Sequence, residues 1–147
     1  ALCRGWPAPA RRGLRSRLHW QGAGRGAKGG KGAPGSVRRQ GKPCFTQVKL
    51  LGHAARAGEA LGLLGCRIAT GRRHQIRLQT AHAGHPVACD GMYAAAPAYL
   101  ADSAWCQRTF IHRGRLAFRD ACGQLREAFA RLPAGLAAAL RGLDARP

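Results

Sequence analysis

The sequence predicts an α+β domain preceded by a basic tail that stays outside the fold. Three observations lead there. Composition changes near residue 43: before it, arginine, lysine and glycine dominate and no acid occurs, whereas after it large apolar side chains recur regularly. Beyond that point, segments with an apolar period of two stand beside segments with a helical period. These segments do not alternate strand by helix, which argues against a doubly wound parallel sheet.

Residues 1–40 carry Arg4, Arg11, Arg12, Arg15 and Arg17 among other cations, and Gly22 to Gly35 is dense in glycine. Such a segment buries too little apolar surface to offset its chain entropy. It is therefore expected to be disordered, with at most a loose attraction for phosphates, and residues 41–147 are expected to form the domain. Cys44 to Leu51 sets Phe45, Gln47 and Lys49 against Thr46, Val48 and Leu50, the alternation of a strand. Gly52 to Gly58 reads as a turn, and the apolar run Leu61 to Ala69 as the paired strand. A helix is expected over Arg73 to Ala83, capped from Thr70 or Gly71 and ended by Gly84 and Pro86. A loop then runs through Pro97. Phe110, His112, Leu116 and Phe118 share one face at period two, which suits a strand or a hairpin. Leu125, Ala128, Phe129 and Leu132 fall at helical spacing, and Pro133 to Leu143 suits a second helix with proline in its first turn.

The chain has 25 Lys plus Arg against 6 Asp plus Glu, a net charge of +19. A surplus of that size favours a polyanionic partner, most often nucleic acid, whose condensed counterions are released on contact. The plainer reading is a solvated basic tail on a neutral domain. The six cysteines form no Cys-x-x-Cys pair and read as free thiols in a reducing compartment. His82, His85 and Cys89 lack a fourth ligand at a recognised spacing, so no metal is expected. No apolar run approaches the roughly 20 residues needed to cross a bilayer, so no membrane partner is expected. The Arg-rich, acid-free start has the charge of a transit peptide but is Gly-rich and Ser-poor. An intracellular protein is expected, with cytoplasm and organelle both open.

The densest chemical signal runs from Ala69 to Tyr93. Arg72, Arg73 and Arg77 cluster at a strand-to-helix junction, and the four-residue spacing of Arg73 and Arg77 puts both on one helical face. A helix start has unpaired N–H groups and partial positive charge, so the cluster suits phosphate or carboxylate. His74 can donate to the same anion. Asp90, a rare acid in this chain, is expected to pair with one of these arginines. A basic amphipathic helix with a solvated face is the competing reading.

Thr70-Gly71-Arg72-Arg73-His74-Gln75-Ile76-Arg77 is similar to the Thr-Gly-Arg-x-His-Gln-Ile-Arg motif of RluA-type pseudouridine synthases. Gly84-His85-Pro86 with Asp90 and Tyr93 resembles the family's next motif. Arg108 to His112 with Leu116 to Phe118, and Phe129, Leu132-Pro133 and Leu136, resemble its closing segments. Gly41-Lys42 and Thr46 to Leu50 match the entering strand, so the likeness runs from about residue 41 to residue 143. It implies the C-terminal half of a catalytic domain built on a mixed, mainly antiparallel sheet with flanking helices. It also implies a strand near Gln124 to Phe129 in place of a helix. The implied activity is isomerisation of uridine to pseudouridine in rRNA or tRNA, without metal or organic cofactor. Arg77 takes the place of the arginine that supports the catalytic aspartate. Arg72, Arg73, His74 and Arg108 are the implied RNA contacts.

Three departures bear on that expectation. Gln79 stands where the family often has histidine, and Cys89 where it has glycine. The family aspartate lies in a His-Arg-Leu-Asp segment followed by Thr-Ser-Gly. None of Glu59, Asp90, Asp102, Asp120, Glu127 and Asp144 has that context. Ser16-Arg17-Leu18-His19 through Gly24 resembles the segment faintly, with His19 at the aspartate position. The short chain distance to Arg77 marks this as coincidence. The chain is thus expected to be an incomplete enzyme, inactive alone, in which Arg77 grips a carboxylate supplied from elsewhere. The alternatives are a non-catalytic basic RNA-binding protein derived from the family, and a basic structural protein.

Overall fold

The computed structural model describes residues 1–20 and 35–146. In chain order its elements are β1 (Leu2–Arg4), β2 (Gly13–His19), β3 (Ser36–Val37), β4 (Lys42–Arg56), β5 (Glu59–Ile68), α1 (Gln75–His82), α2 (Ala96–Ser103), β6 (Arg115–Arg119), β7 (Leu125–Phe129), α3 (Ala134–Arg141) and β8 (Asp144–Arg146). The expected α+β class holds, and every strand pairing among the described residues is antiparallel. The main sheet has the order β1-β5-β4-β2-β3, with β8 also beside β4, while β6 and β7 form a separate ribbon. Strand β4 is the spine. Its first half pairs with β2 from Lys42 to Gln47, and its second half with β8 from His53 to Ala55. No helix of the described residues is long and apolar enough to cross a membrane.

The largest correction concerns residues 1–40. The expected disordered tail and its boundary at residue 41 do not hold, because β1, β2 and β3 belong to the main sheet. Residues 21–34, with most of the glycine run, lie outside the described residues. The reason is visible in Gly13 to His19. Leu14, Ser16 and Leu18 turn inward while Arg15 and Arg17 turn to solvent, a period of two that averaging over forty residues hides. Leu2 and Cys3 of β1 are fully buried between β5 and the segment Pro86 to Ala88.

Smaller corrections follow the same logic. The predicted turn at Gly52 to Gly58 shrinks to Ala57 and Gly58, both at positive φ, because a register shift between Leu50 and Gly52 lets β4 continue. Residues 110–114 are irregular, and the expected strand reduces to β6. Leu125 to Phe129 is a strand despite its helical spacing, as the family likeness implied. Helix α1 begins after His74, which sits at φ 50, so neither Thr70 nor Gly71 caps it. Its end at Gly84 is as expected, with φ 85 that favours glycine.

Two apolar clusters hold the fold. Leu2, Leu61, Leu64, Val87, Phe110 and Leu136 join β1, β5, the 86–90 segment and α3. Leu18, Cys44 and Leu78 bring β2, β4 and α1 together, with Trp20, Val37 and Tyr93 against them. Cys3, Cys44, Cys89 and Cys106 are buried free thiols, as small core residues should be, and burial pushes Cys3 up to about 12.

Candidate functional site

Helix α1 is fixed to the sheet by two glutamines one turn apart. Gln75 Nε2 donates to the Phe45 carbonyl (3.1 Å) and to Thr46 Oγ1 (3.0 Å). Thr46 Oγ1 in turn donates to Gln79 Oε1 at 2.6 Å. Gln79 Nε2 reaches across to β2, donating to the Leu14 carbonyl (2.9 Å) and Ser16 Oγ (3.0 Å). Thr46, Gln75 and Gln79 are all buried, so each of these polar atoms requires its partner. Gln79, a departure from the family pattern, therefore joins α1 to two strands. This network sets the rotation of α1 and with it the direction of Arg77.

Arg77 meets Asp90 in a two-pronged ion pair: Nε to Oδ2 at 2.7 Å and Nη2 to Oδ1 at 2.6 Å. Asp90 is fully buried, and its Oδ1 also accepts the N–H groups of Met92 (3.1 Å) and Tyr93 (3.2 Å). The carboxylate is thus held by four hydrogen bonds, which compensate its desolvation. The expectation that Asp90 pairs with an arginine of the cluster holds. The expectation that Arg77 grips a carboxylate from elsewhere is corrected, since its Nε and Nη2 already hold Asp90. Nη1 has no hydrogen-bond partner among the described residues, and the side chain keeps 18% exposure. The residue before Asp90 explains the family's glycine: Cys89 lies at φ 56, a region that side chains with a Cβ adopt reluctantly.

A run of cations and rings surrounds this pair. The Arg77 guanidinium lies 5.0 Å from the Tyr93 ring centre, and Tyr93 meets His74 edge-on at 5.7 Å. His74 meets Trp20 edge-on at 5.5 Å, and Arg73 covers Trp20 at 4.9 Å. The Tyr93 hydroxyl accepts from Gly35 N (3.3 Å) and lies 3.0 Å from His74 Nδ1. The hydroxyl and the imidazole nitrogen are thus within hydrogen-bond distance of each other. Burial, with the Arg77 and Arg73 charges, lowers the His74 pKa and keeps the ring neutral. Burial raises the Tyr93 pKa, so the phenol keeps its proton.

Of the residues singled out by sequence, Arg73, His74 and Arg77 come together. Arg73 precedes α1 and does not share a helical face with Arg77. Arg72 is exposed at the same corner, where its backbone N–H donates to Gln75 Oε1. Arg108 lies apart, in an open cleft with Arg56, Trp105 and Leu136. His82, His85 and Cys89 do not converge, and among the described residues no three His, Cys, Asp or Glu side chains are placed to share an ion. Sequence reasoning missed Trp20 and Gln75. Trp20 falls in the segment that reads as tail, and its only signal is the alternation of the strand before it.

His19 ends β2. Along the chain, too few residues separate it from Arg77 for the two to share a site in the family's manner. Leu18 packs with Leu78 and Trp20 touches His74, and in an extended strand His19 between them turns to the opposite face. Its Nδ1 is buried without a hydrogen-bond partner among the described residues.

Comparison with known proteins now bears on this geometry. The chain is 38% identical over 84 residues to the ribosomal large subunit pseudouridine synthase C of Haemophilus ducreyi, covering 56% of this chain and 25% of that protein. It is 44% identical over 57 residues to the protein of the same name from Escherichia coli, covering 39% and 17%. The solved structure named Human RNA Pseudouridylate Synthase Domain Containing 1 superposes with a TM-score of 0.75 at 22% identity, a likeness of fold. The chain is similar to pseudouridine synthases. The RluA-type resemblance read from the motifs is thus matched by sequence relatives and, for the fold, by a solved structure. A stretch of 58 residues is also 40% identical to the MATH and LRR domain-containing protein PFE0570w of Plasmodium falciparum, 1% of that protein. No family model matches the chain. The chain spans a quarter of the Haemophilus synthase, and the superposition takes in 99% of this chain but 58% of the human one.

Proposed function

We propose that this chain is part of an RNA pseudouridine synthase, with the Arg77 cluster at the uridine site. The observation that carries the reading is the Arg77–Asp90 pair. It fixes a guanidinium at the edge of a run of rings, with Nη1 unbonded among the described residues. Isomerisation breaks the bond from ribose C1′ to uracil N1 and joins C1′ to C5, so the base must leave its stack to be turned. Arg77, held in place by Asp90, orients a substrate oxygen. His74 lies beside it, and Arg72 and Arg73 take the phosphates on either side. Arg108, in its separate cleft, is a second and more distant RNA contact.

Asp90 does not serve as the reacting carboxylate, because it is buried and already holds four hydrogen bonds. Glu59 and Asp102 pair with Arg4, and Asp120 and Glu127 pair within the β6–β7 ribbon. Asp144 lies in the exposed strand β8, opposite Ala55. In this reading the reacting carboxylate comes from other polypeptide, and the chain alone binds RNA without converting it. The names of the relatives point to large-subunit ribosomal RNA as the substrate, which suits an intracellular protein.

The test is a map of pseudouridine in cells lacking the gene. Loss at one or a few ribosomal uridines is expected, restored by the wild-type gene and not by an Arg77→Lys version. An unchanged map, with tight RNA binding by the purified chain, would instead establish the non-catalytic alternative.

A further inference from the structure

We propose that the β6–β7 ribbon docks a second polypeptide segment, acidic and β-forming, which adds a strand to its edge and packs beside the exposed apolar side chains there. All ten ribbon residues are exposed. The register puts Ala117, Leu125 and Phe129 with Arg115, Arg119 and Glu127 on one face, and Leu116, Phe118 and Ala128 with Arg126 on the other. Phe129 (73% exposed) and Leu125 (64%) are bare on one face, and Phe118 (46%) and Leu116 (42%) on the other, so apolar side chains lie open on both sides of the ribbon. A two-stranded ribbon with neither face covered is marginal in water, and among the described residues each strand pairs only with the other.

Two observations choose the occupant. The superposition onto the human structure takes in nearly all of this chain and 58% of that one, so a fold of this shape accommodates further polypeptide. Charge then sets its character. Six arginines and two acids lie between Arg108 and Arg131. Both acids are already paired inside the ribbon, Glu127 with Arg115 and Asp120 with Arg126. A second copy of this chain would bring the same positive charge. RNA would leave the ribbon's edge carbonyls and the leucine side chains unmatched. This inference rests on the ribbon and the fold, not on the activity proposed above.

The probes are the unmatched portions of the human protein and of the Haemophilus synthase, each prepared as a separate polypeptide and mixed with the full chain. Exchange of the amides from Arg115 to Phe129 should slow at least tenfold with one of them, and the L125S/F129S double variant should lose that protection. The ribbon lies outside both apolar clusters, so the variant keeps its far-ultraviolet spectrum. Protection by neither probe overturns the inference. So does ribbon protection by single-stranded RNA, or self-association through the ribbon in sedimentation. The pseudouridine map does not depend on the ribbon, so either result can fail without the other.

Discussion

Asp90 and Arg77 form a unit in which each charge is tolerated only because of the other. Removing one member of a buried pair leaves the remaining charge uncompensated, at a cost of about 3–5 kcal/mol. Asp90→Ala should therefore lower the unfolding free energy toward the lower end of that range, since the Arg77 side chain keeps 18% exposure and can reach water. Urea denaturation measures it, and a drop below about 1 kcal/mol, the scale of an exposed pair, would mean the pair is not formed in solution. His74 supplies a pH signature beside them. Its folded pKa lies below 6.5, so as pH falls from 6.5 the unfolded chain takes up this proton before the folded one. Stability is lost in that window, and His74→Gln should reduce the drop in melting temperature between about pH 7 and pH 5.5. Parallel curves for the two proteins would contradict the placement of His74 against Arg73 and Arg77.

At the scale of elements, the sequence is most legible where one face is buried and the other wet. Strands β4 and β5 and helix α1 all follow from their periods, with ends shifted by a few residues. The shifts have identifiable causes: a bulge prolongs β4, and the left-handed His74 delays α1. Strand β2 is hidden because its inward set is only Leu14, Ser16 and Leu18, set in a run of arginines. Helix α2 escapes a periodicity reading because its one fully buried residue is Asp102, which holds Arg4 and the Cys89 N–H. That β2 belongs to the fold can be tested at Leu18, which is 3% exposed against Cys44 and Leu78. Leu18→Ala should cost about 2–4 kcal/mol, as a buried leucine does and a leucine in a disordered tail does not. An unchanged urea midpoint would return residues 13–19 to the tail.

For the molecule as a whole, the sequence discloses a strong positive charge and the positions of Arg73, His74 and Arg77, but not how they connect. The ring-and-cation run depends on Trp20, which reaches α1 only because β2 enters the sheet beside β4. Such an adjacency leaves no trace in local periodicity. It also separates two accounts of RNA affinity that a net charge of +19 alone cannot distinguish. If affinity is spread over the whole surface, neutralising two arginines barely alters the salt dependence. If the α1 corner is the RNA face, Arg72 and Arg73 each hold a phosphate. The slope of log affinity against log salt for a single strand then flattens by about 0.7 for each phosphate that is no longer neutralised. The double substitution R72A/R73A should therefore reduce the slope by about 1.4 on a uridine-containing strand, since each neutralised phosphate adds its own share to the slope. Both arginines are exposed, so the change leaves the fold intact. Replacing Arg15 and Arg39, also exposed, serves as the control and should move the slope less. Equal flattening by both pairs would show that RNA does not single out the corner where Arg77 waits.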